Sequence, residues 1–330
     1  MELLNSALIG TGSFAPEKTL TNFDLEKMVD TSDEWIRRRT GMVERHIVDE
    51  NTASSDLAIQ AALKAIEKAN IDPEEIDLIV LPTVTPDMSF PSTACFVQKG
   101  IGASNAAAFD ISAGCSGFPY GISIADQFIK SGTYKTVLVI AAETLSKITD
   151  WTDRSTCVLF GDAAGAAVFQ ATRDNKGVIS SYLSADGNFS GGNLLSLPAG
   201  GSRNPASHET VDKRMHYIKM RGRELFKLGV KAMAESGLKA LELGNLTLDD
   251  VTLCIPHQAN KRIIDAVGER LGLPEEKMFI NVDKYGNTSS ATMAVALDEA
   301  IRNEKVGSGD IVLIVAFGSG LTWAAIAIRL

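Results

Sequence analysis

Three side chains in this sequence could do chemistry, and each stands where an apolar run gives way to a helical pattern. Cys115 lies in Ala113-Gly114-Cys115-Ser116-Gly117-Phe118, after the run AAFDI and before an amphipathic stretch over 118–130. Small neighbours permit a sharp turn and close approach by a substrate. The N–H groups of a following helix favour thiolate, the nucleophilic form of cysteine. His257 lies in Ile255-Pro256-His257-Gln258-Ala259-Asn260, at the end of one apolar run and before another helical pattern. An imidazole there suits proton transfer or hydrogen bonding. Asn287 lies in Tyr285-Gly286-Asn287-Thr288-Ser289-Ser290, where its carboxamide could cap a helix or donate to a developing enolate. Phe317-Gly318-Ser319-Gly320 is a tight glycine turn that either closes a hairpin or offers backbone N–H groups to an oxyanion.

The remaining cysteines and histidines read differently. Cys95, Cys157 and Cys254 are expected as small core residues. His46, His208 and His216 lie among charged or loop residues and read as surface. No Cys/His spacing fits a metal site, so no metal is expected. Gly10-Thr11-Gly12 lacks the third glycine of a dinucleotide loop.

These groups need elements that bring them together. Helical and strand patterns alternate along the chain, which implies layered α/β architecture. Ser54-Ser55-Asp56 is expected to cap a helix, and IDLIVL over 76–81 reads as a strand. TVLVIAA over 136–142 reads as a strand covered on both faces. The order then repeats. PEEIDLIVL is echoed by LDDVTLCIP, and VLVIA by VLIVA, both displaced by 175 residues. Between them a strand, small-residue turn and helix around Cys115 lie opposite a similar set around Asn287, with a strand expected in KMFINV. The chain is therefore expected to hold two related halves, 1–174 and 175–330, joined near 172–178. Related halves place equivalent loops around a shared cleft, at the carboxyl ends of strands.

Composition narrows the class. The 330 residues carry 32 Lys plus Arg against 41 Asp plus Glu, a net charge of −9, and 45% are apolar. That is a globular composition without the basic face a nucleic-acid binder needs. The uncharged run 311–328 has the lower-limit length of a membrane helix, but its central Gly318-Ser319-Gly320 makes strand, turn, strand the expected form. The start lacks a signal-peptide pattern, so a cytoplasmic protein with no membrane span is expected.

Cys115 in GCSGF, His257 in PHQAN, Asn287 in YGNTS and the terminal FGSGLTW occur in that order, with TSDEWI over 31–36 and Arg39-Thr40-Gly41 before them. The ordered set closely resembles the β-ketoacyl-acyl-carrier-protein synthases III, which start bacterial fatty-acid synthesis. The resemblance covers essentially the whole chain. It implies a thiolase-like fold, two duplicated α/β halves in a five-layered αβαβα arrangement, and a homodimer. It implies that Cys115 takes a short acyl group, acetyl first among them, from acyl-CoA. His257 and Asn287 would then hold the thioester carbonyl of malonyl-acyl carrier protein while carbon dioxide leaves. The backbone N–H groups of Cys115 and Ser319 would hold the oxyanion, and no cofactor is implied.

The resemblance also assigns binding residues. Trp35 and Arg154 would sandwich the CoA adenine, and Arg39 would meet its phosphates. Gly222 and Asn260 would line the pantetheine channel with Phe226, which also counts toward the acyl pocket with Phe90, Leu159 and Phe317. Lys227, Arg262 and Arg270 would form a basic patch for the acidic carrier protein. A thiolase would need a second cysteine where Ser319 stands, and a 3-hydroxy-3-methylglutaryl-CoA synthase would need a glutamate beside Cys115, which the sequence does not identify. Relatives that make alkylquinolones, long-chain ketones or polyketide starters share the Cys–His–Asn set and stay open as alternatives, whereas a papain-like hydrolase fits the residue types without the duplication.

Overall fold

The computed structural model describes residues 4–189 and 194–330. Five strands form the first sheet: β1 (Asn5–Phe14), β2 (Leu78–Pro82), β3 (Ala107–Ile111), β4 (Thr136–Thr144) and β5 (Asp162–Thr172), in the order β1-β5-β4-β2-β3. Four form the second: β6 (Gly177–Ala185), β7 (Leu253–Pro256), β8 (Ile311–Gly318) and β9 (Thr322–Arg329), in the order β7-β8-β9-β6. The pairing pattern repeats. β1 is antiparallel to β5, β5 antiparallel to β4, and β4 parallel to β2. Likewise β6 is antiparallel to β9, β9 antiparallel to β8, and β8 parallel to β7. Leu78 faces Val137 in one sheet and Leu253 faces Val312 in the other, so the displacement of 175 residues holds in register.

Helices cover the faces of both sheets. They are α1 (Asp33–Thr40), α2 (Ser54–Ala69), α3 (Thr93–Ile101), α4 (Gly117–Lys130), α5 (Gly222–Leu243), α6 (Lys261–Leu271) and α7 (Ala291–Arg302). α2 and α3 pack outside the first sheet. α5 and α6 pack outside the second. α4 and α7 lie between the sheets, sharing one core with residues of both. The result is the expected five-layered αβαβα arrangement. The middle helices are buried nearly all round; in α7 every residue from Ala291 to Ala300 is buried. A helix apolar on every side has no stable place at a surface.

The glycines of Gly10-Thr11-Gly12 allow β1 to touch α2. A Cβ on Gly10 would lie 2.4 Å from Ala65 O, and one on Gly12 2.5 Å from Ala61 O. The uncharged C-terminal run is the hairpin β8–β9, and among the described residues no helix is long and apolar enough to cross a membrane.

Three expectations are corrected. The strand in KMFINV shrinks to one bridge between Cys254 and Met278. The Gln258 amide takes over its pairing: Nε2 donates to Pro256 O and Phe279 O, and Oε1 accepts from Asn281 N. The cap of α2 comes from Asp56, which accepts from Ala53 N at 2.8 Å, while Ser54 and Ser55 are already helical. Cys95 is exposed on α3 rather than in the core.

Candidate active site

The middle helices and the hairpin position the reactive groups. Cys115 ends the turn between β3 and α4 and is buried. That turn packs backbone to backbone on the β8–β9 turn. A Cβ on Gly318 would lie 2.4 Å from Cys115 N, and one on Gly114, whose φ is +55°, would lie 2.8 Å from Ser319 N. Only glycine tolerates such an approach. Thr322 Oγ1 ties the two turns by donating to Ala113 O (2.7 Å) and to Ser319 O (3.1 Å). Ser116 Oγ donates to Thr322 O. The backbone nitrogens of Cys115 and Ser319 both lie where the two turns meet.

His257 follows β7 and is held by its N–H, which donates to Val315 O at 2.8 Å. Its Nδ1 lies 2.7 Å from Thr292 Oγ1, which also lies 2.8 Å from Ser289 O. Nε2 is the ring nitrogen left for a substrate. Burial pushes the imidazole down to about 3, so it is neutral at ordinary pH.

Asn287 is clamped at the backbone. Its N–H donates to Leu159 O at 2.8 Å and its carbonyl accepts from Gly161 N at 3.1 Å. Its Oδ1 accepts from Ser289 N at 2.9 Å, which leaves the Nδ2 hydrogens for a ligand. The strand segment that clamps it is braced by Arg45, a fully buried guanidinium whose Nη2 donates to Val158 O.

Cys115, His257 and Asn287 open together into a cavity of about 130 Å³. Leu159, Gly222, Phe226, Asn260 and Phe317 line the same cavity. A second chamber of about 90 Å³ also reaches Cys115, walled by Val84, Leu145, Ile148, Phe160, Leu195 and Ile218 among others. Leu159, Phe226 and Phe317 thus belong to the His257 side. Phe90 departs from expectation: it is 84% exposed and lines neither space within this chain.

The electrostatics of the thiol also depart from expectation. Burial pushes Cys115 up to about 11, with nearby Glu143 adding to the rise and the Ser289 hydroxyl opposing it. Burial thus opposes the thiolate that the helix N-terminus favours. Glu143 is the glutamate beside Cys115 that sequence reading did not find. Its one signal was an acid ending a strand covered on both faces, TVLVIAAET. Ser289 and Thr292 lie in and just after the YGNTSS motif, but their roles depend on contacts with distant residues.

Comparison with known proteins places the chain. Residues 109–187 match the family model described as 3-Oxoacyl-[acyl-carrier-protein (ACP)] synthase III, and residues 241–330 match its C-terminal counterpart. The Beta-ketoacyl-[acyl-carrier-protein] synthase III of Caldanaerobacter subterraneus subsp. tengcongensis is 59% identical over 99% of this chain and 98% of its own length. The chain belongs to the 3-oxoacyl-[acyl-carrier-protein] synthase III family. The enzyme of the same name from Desulfitobacterium hafniense (strain Y51) is 52% identical over 99% of this chain and 98% of its own. The crystal structure of 3-oxoacyl-[acyl-carrier-protein] synthase III from Aquifex aeolicus VF5 superposes with a TM-score of 0.91 at 50% identity, covering 98% of this chain and all of that one.

On this synthase III scaffold the remaining expected residues fall into two groups. Trp35 stands against Arg154, and Arg39 meets Asn260 at the start of α6. The Arg154 guanidinium lies 5.1 Å from the Trp35 ring centroid, so an adenine would have to part them. Asn260 is already engaged: Oδ1 caps α6 through Arg262 N, and Nδ2 donates to Arg39 O at 3.1 Å. Lys227, Arg262 and Arg270 are exposed on α5 and α6. The Arg262 guanidinium stands 5.7 Å from the Phe226 ring centroid, at the cavity wall. Arg270 instead pairs with Glu235 at 3.6 Å.

Proposed function

We propose that this protein joins a short acyl group from acyl-CoA to malonyl-acyl carrier protein, giving 3-oxoacyl-acyl carrier protein, CoA and carbon dioxide, the first condensation of fatty-acid synthesis. The observation that carries this reading is the opening of Cys115, His257 and Asn287 into one cavity, with a small apolar chamber also reaching the thiol. Cys115 Sγ attacks the acyl-CoA carbonyl, and CoA leaves. Malonyl-carrier then enters from the His257 side. The Asn287 amide hydrogens and His257 Nε2 hydrogen-bond its thioester carbonyl as carbon dioxide departs. For Nε2 to donate, the single Thr292 hydroxyl proton must turn toward Nδ1, which lies within its reach. A neutral imidazole stabilises an enolate without surrendering a proton to it, as a charged one would. The enolate carbon attacks acyl-Cys115, and the oxyanion rests on the Cys115 and Ser319 N–H groups.

The second chamber at Cys115, about 90 Å³, favours acyl chains of a few carbons, acetyl among them. Carbon dioxide loss drives bond formation, so the scheme uses no metal or redox cofactor. Trp35, Arg39 and Arg154 receive the CoA nucleotide, with Gly222 and Asn260 along the pantetheine path. Lys227 and Arg262 face the acidic carrier. We read the two sheets as two copies of one plan, 1–174 and 175–330, and the enzyme as a cytoplasmic homodimer. The dimer is supported by β3, an edge strand whose Ala107 is exposed and whose Phe109 and Ile111 are only half-buried, together with exposed Phe90. An assay of the purified protein with acetyl-CoA and malonyl-carrier tests the reading: 3-oxobutyryl-carrier is the expected product, and its absence with every short acyl-CoA would overturn it.

A further inference from the structure

Glu143 has no part in the chemistry above, yet it is buried at 0% exposure at the end of β4. Among the described residues no cation acts on it; every neighbour that does is a donor to a carboxylate. Ser290 Oγ donates to Oε1 at 2.7 Å. Thr85 Oγ1 (2.7 Å), Val84 N (3.0 Å) and Thr83 Oγ1 (3.3 Å) donate to Oε2. An acid without a cation in a dry interior is costly, and such groups gather at functional sites. Burial raises its proton affinity, which suits a proton acceptor.

Ser289 neighbours both this acid and the nucleophile. It is 3% exposed, its φ is +50°, and its Oγ is buried without closing a hydrogen bond. The hydroxyl is nonetheless near enough to both the Cys115 thiol and the Glu143 carboxyl to act on each. Ser289 and Cys115 line the same chamber. A strained residue with an unpartnered hydroxyl beside a reactive thiol is poised to form a contact during reaction.

We propose that Ser289 and Glu143 form a relay that holds the Cys115 proton while the enzyme is acylated. This deepens the condensation reading and rests on it. In acylation the Cys115 proton passes to Ser289 Oγ as the Ser289 proton passes to Glu143. Sγ bonds to the acyl carbon, the carbon–sulfur bond to CoA breaks, and the CoA thiolate leaves with the electron pair, taking a proton from solvent. In condensation the enolate carbon bonds to the acyl carbon and the Sγ–carbon bond breaks. The departing Cys115 thiolate then recovers its proton from Glu143 through Ser289. From β4, the 83–85 loop and the 289–290 turn, the groups on Glu143 are hydroxyls and one N–H; Cys115 is its titratable neighbour.

The test is alkylation of Cys115 by iodoacetamide in the whole protein, read peptide by peptide, across pH. It needs no substrate, so its result is independent of whether the condensation reading holds. The relay predicts a reactivity plateau between the titration of Glu143 and that of Cys115, because thiolate with protonated Glu143 carries the same proton count as thiol with carboxylate. Glu143→Gln should abolish the plateau and slow alkylation within that pH range by about 10²-fold. Ser289→Gly, which suits the positive φ, should do the same, with unchanged melting marking an intact fold. Alkylation that is unchanged in either variant would overturn the relay. So would faster alkylation in Glu143→Gln, the result expected if the acid merely repels thiolate.

Discussion

Gly318 and Cys115 touch through their backbones, so closely that a Cβ on Gly318 would lie 2.4 Å from Cys115 N. The N–H that is to hold an oxyanion is thus set by a residue two hundred positions away in sequence. Gly318→Ala should force the two turns apart. A displacement of about 1 Å at a reacting centre costs about 10²-fold in rate, and overpacking costs about 1–3 kcal/mol of stability. Single-turnover acylation from acetyl-CoA and a denaturation curve measure both.

Thr292 links His257 Nδ1 to Ser289 O. Thr292→Val leaves buried polar atoms without a partner, at a cost of about 1–3 kcal/mol. Condensation should slow about tenfold or more while acylation is spared, since the acyl-transfer step does not use His257. Thr292→Ser should restore both. Equal losses in the two half-reactions would contradict this role.

Stability should vary with pH at both ends of the scale. Burial holds Cys115 protonated to about 11 in the fold, against 9.0 in the unfolded chain. Cys157 and Cys254 are raised likewise, to about 11 and about 12. Between those values the unfolded chain has lost protons that the fold keeps, so stability falls as pH rises above 9.0. His257 is lowered from 6.5 to about 3, so there the unfolded chain binds the extra proton and the His257 contribution falls as pH drops through that window, opposed by Glu143 and Asp162, which burial raises. Urea denaturation across pH measures both slopes, and Cys254→Ala should flatten the alkaline one.

The basic patch should act unevenly. Arg270 is paired with Glu235, whereas Arg262 stands at the cavity wall against Phe226. Arg262→Glu and Lys227→Glu should each raise KM for malonyl-carrier several-fold, with a smaller effect at high salt, and Arg270→Glu should do less. KM for malonyl-CoA, which lacks the carrier, should hardly move.

Much of this site could be read from the sequence because its parts are local. The turn around Cys115 needs small residues and a following helix, and the β8–β9 hairpin needs Gly318-Ser319-Gly320 between apolar runs. The second sheet repeats the first because VLVIA and VLIVA each bury both faces. What was illegible depends on distant contacts. Glu143 acts on the thiol from β4, far from it in sequence, and Ser289 meets both from a third element. The strand in KMFINV is lost because the Gln258 side chain satisfies its backbone first. Phe90 matches a pocket residue by motif, yet the fold leaves it 84% exposed.

The central claim is that Cys115 carries the acyl group. Incubating the protein with acetyl-CoA and locating the acetyl group by peptide mass spectrometry tests it directly. One acetyl group is expected, on Cys115, and none on the Cys115→Ser variant. Thioester acetylation that persists in that variant, or that falls on Cys95, Cys157 or Cys254 instead, would contradict it.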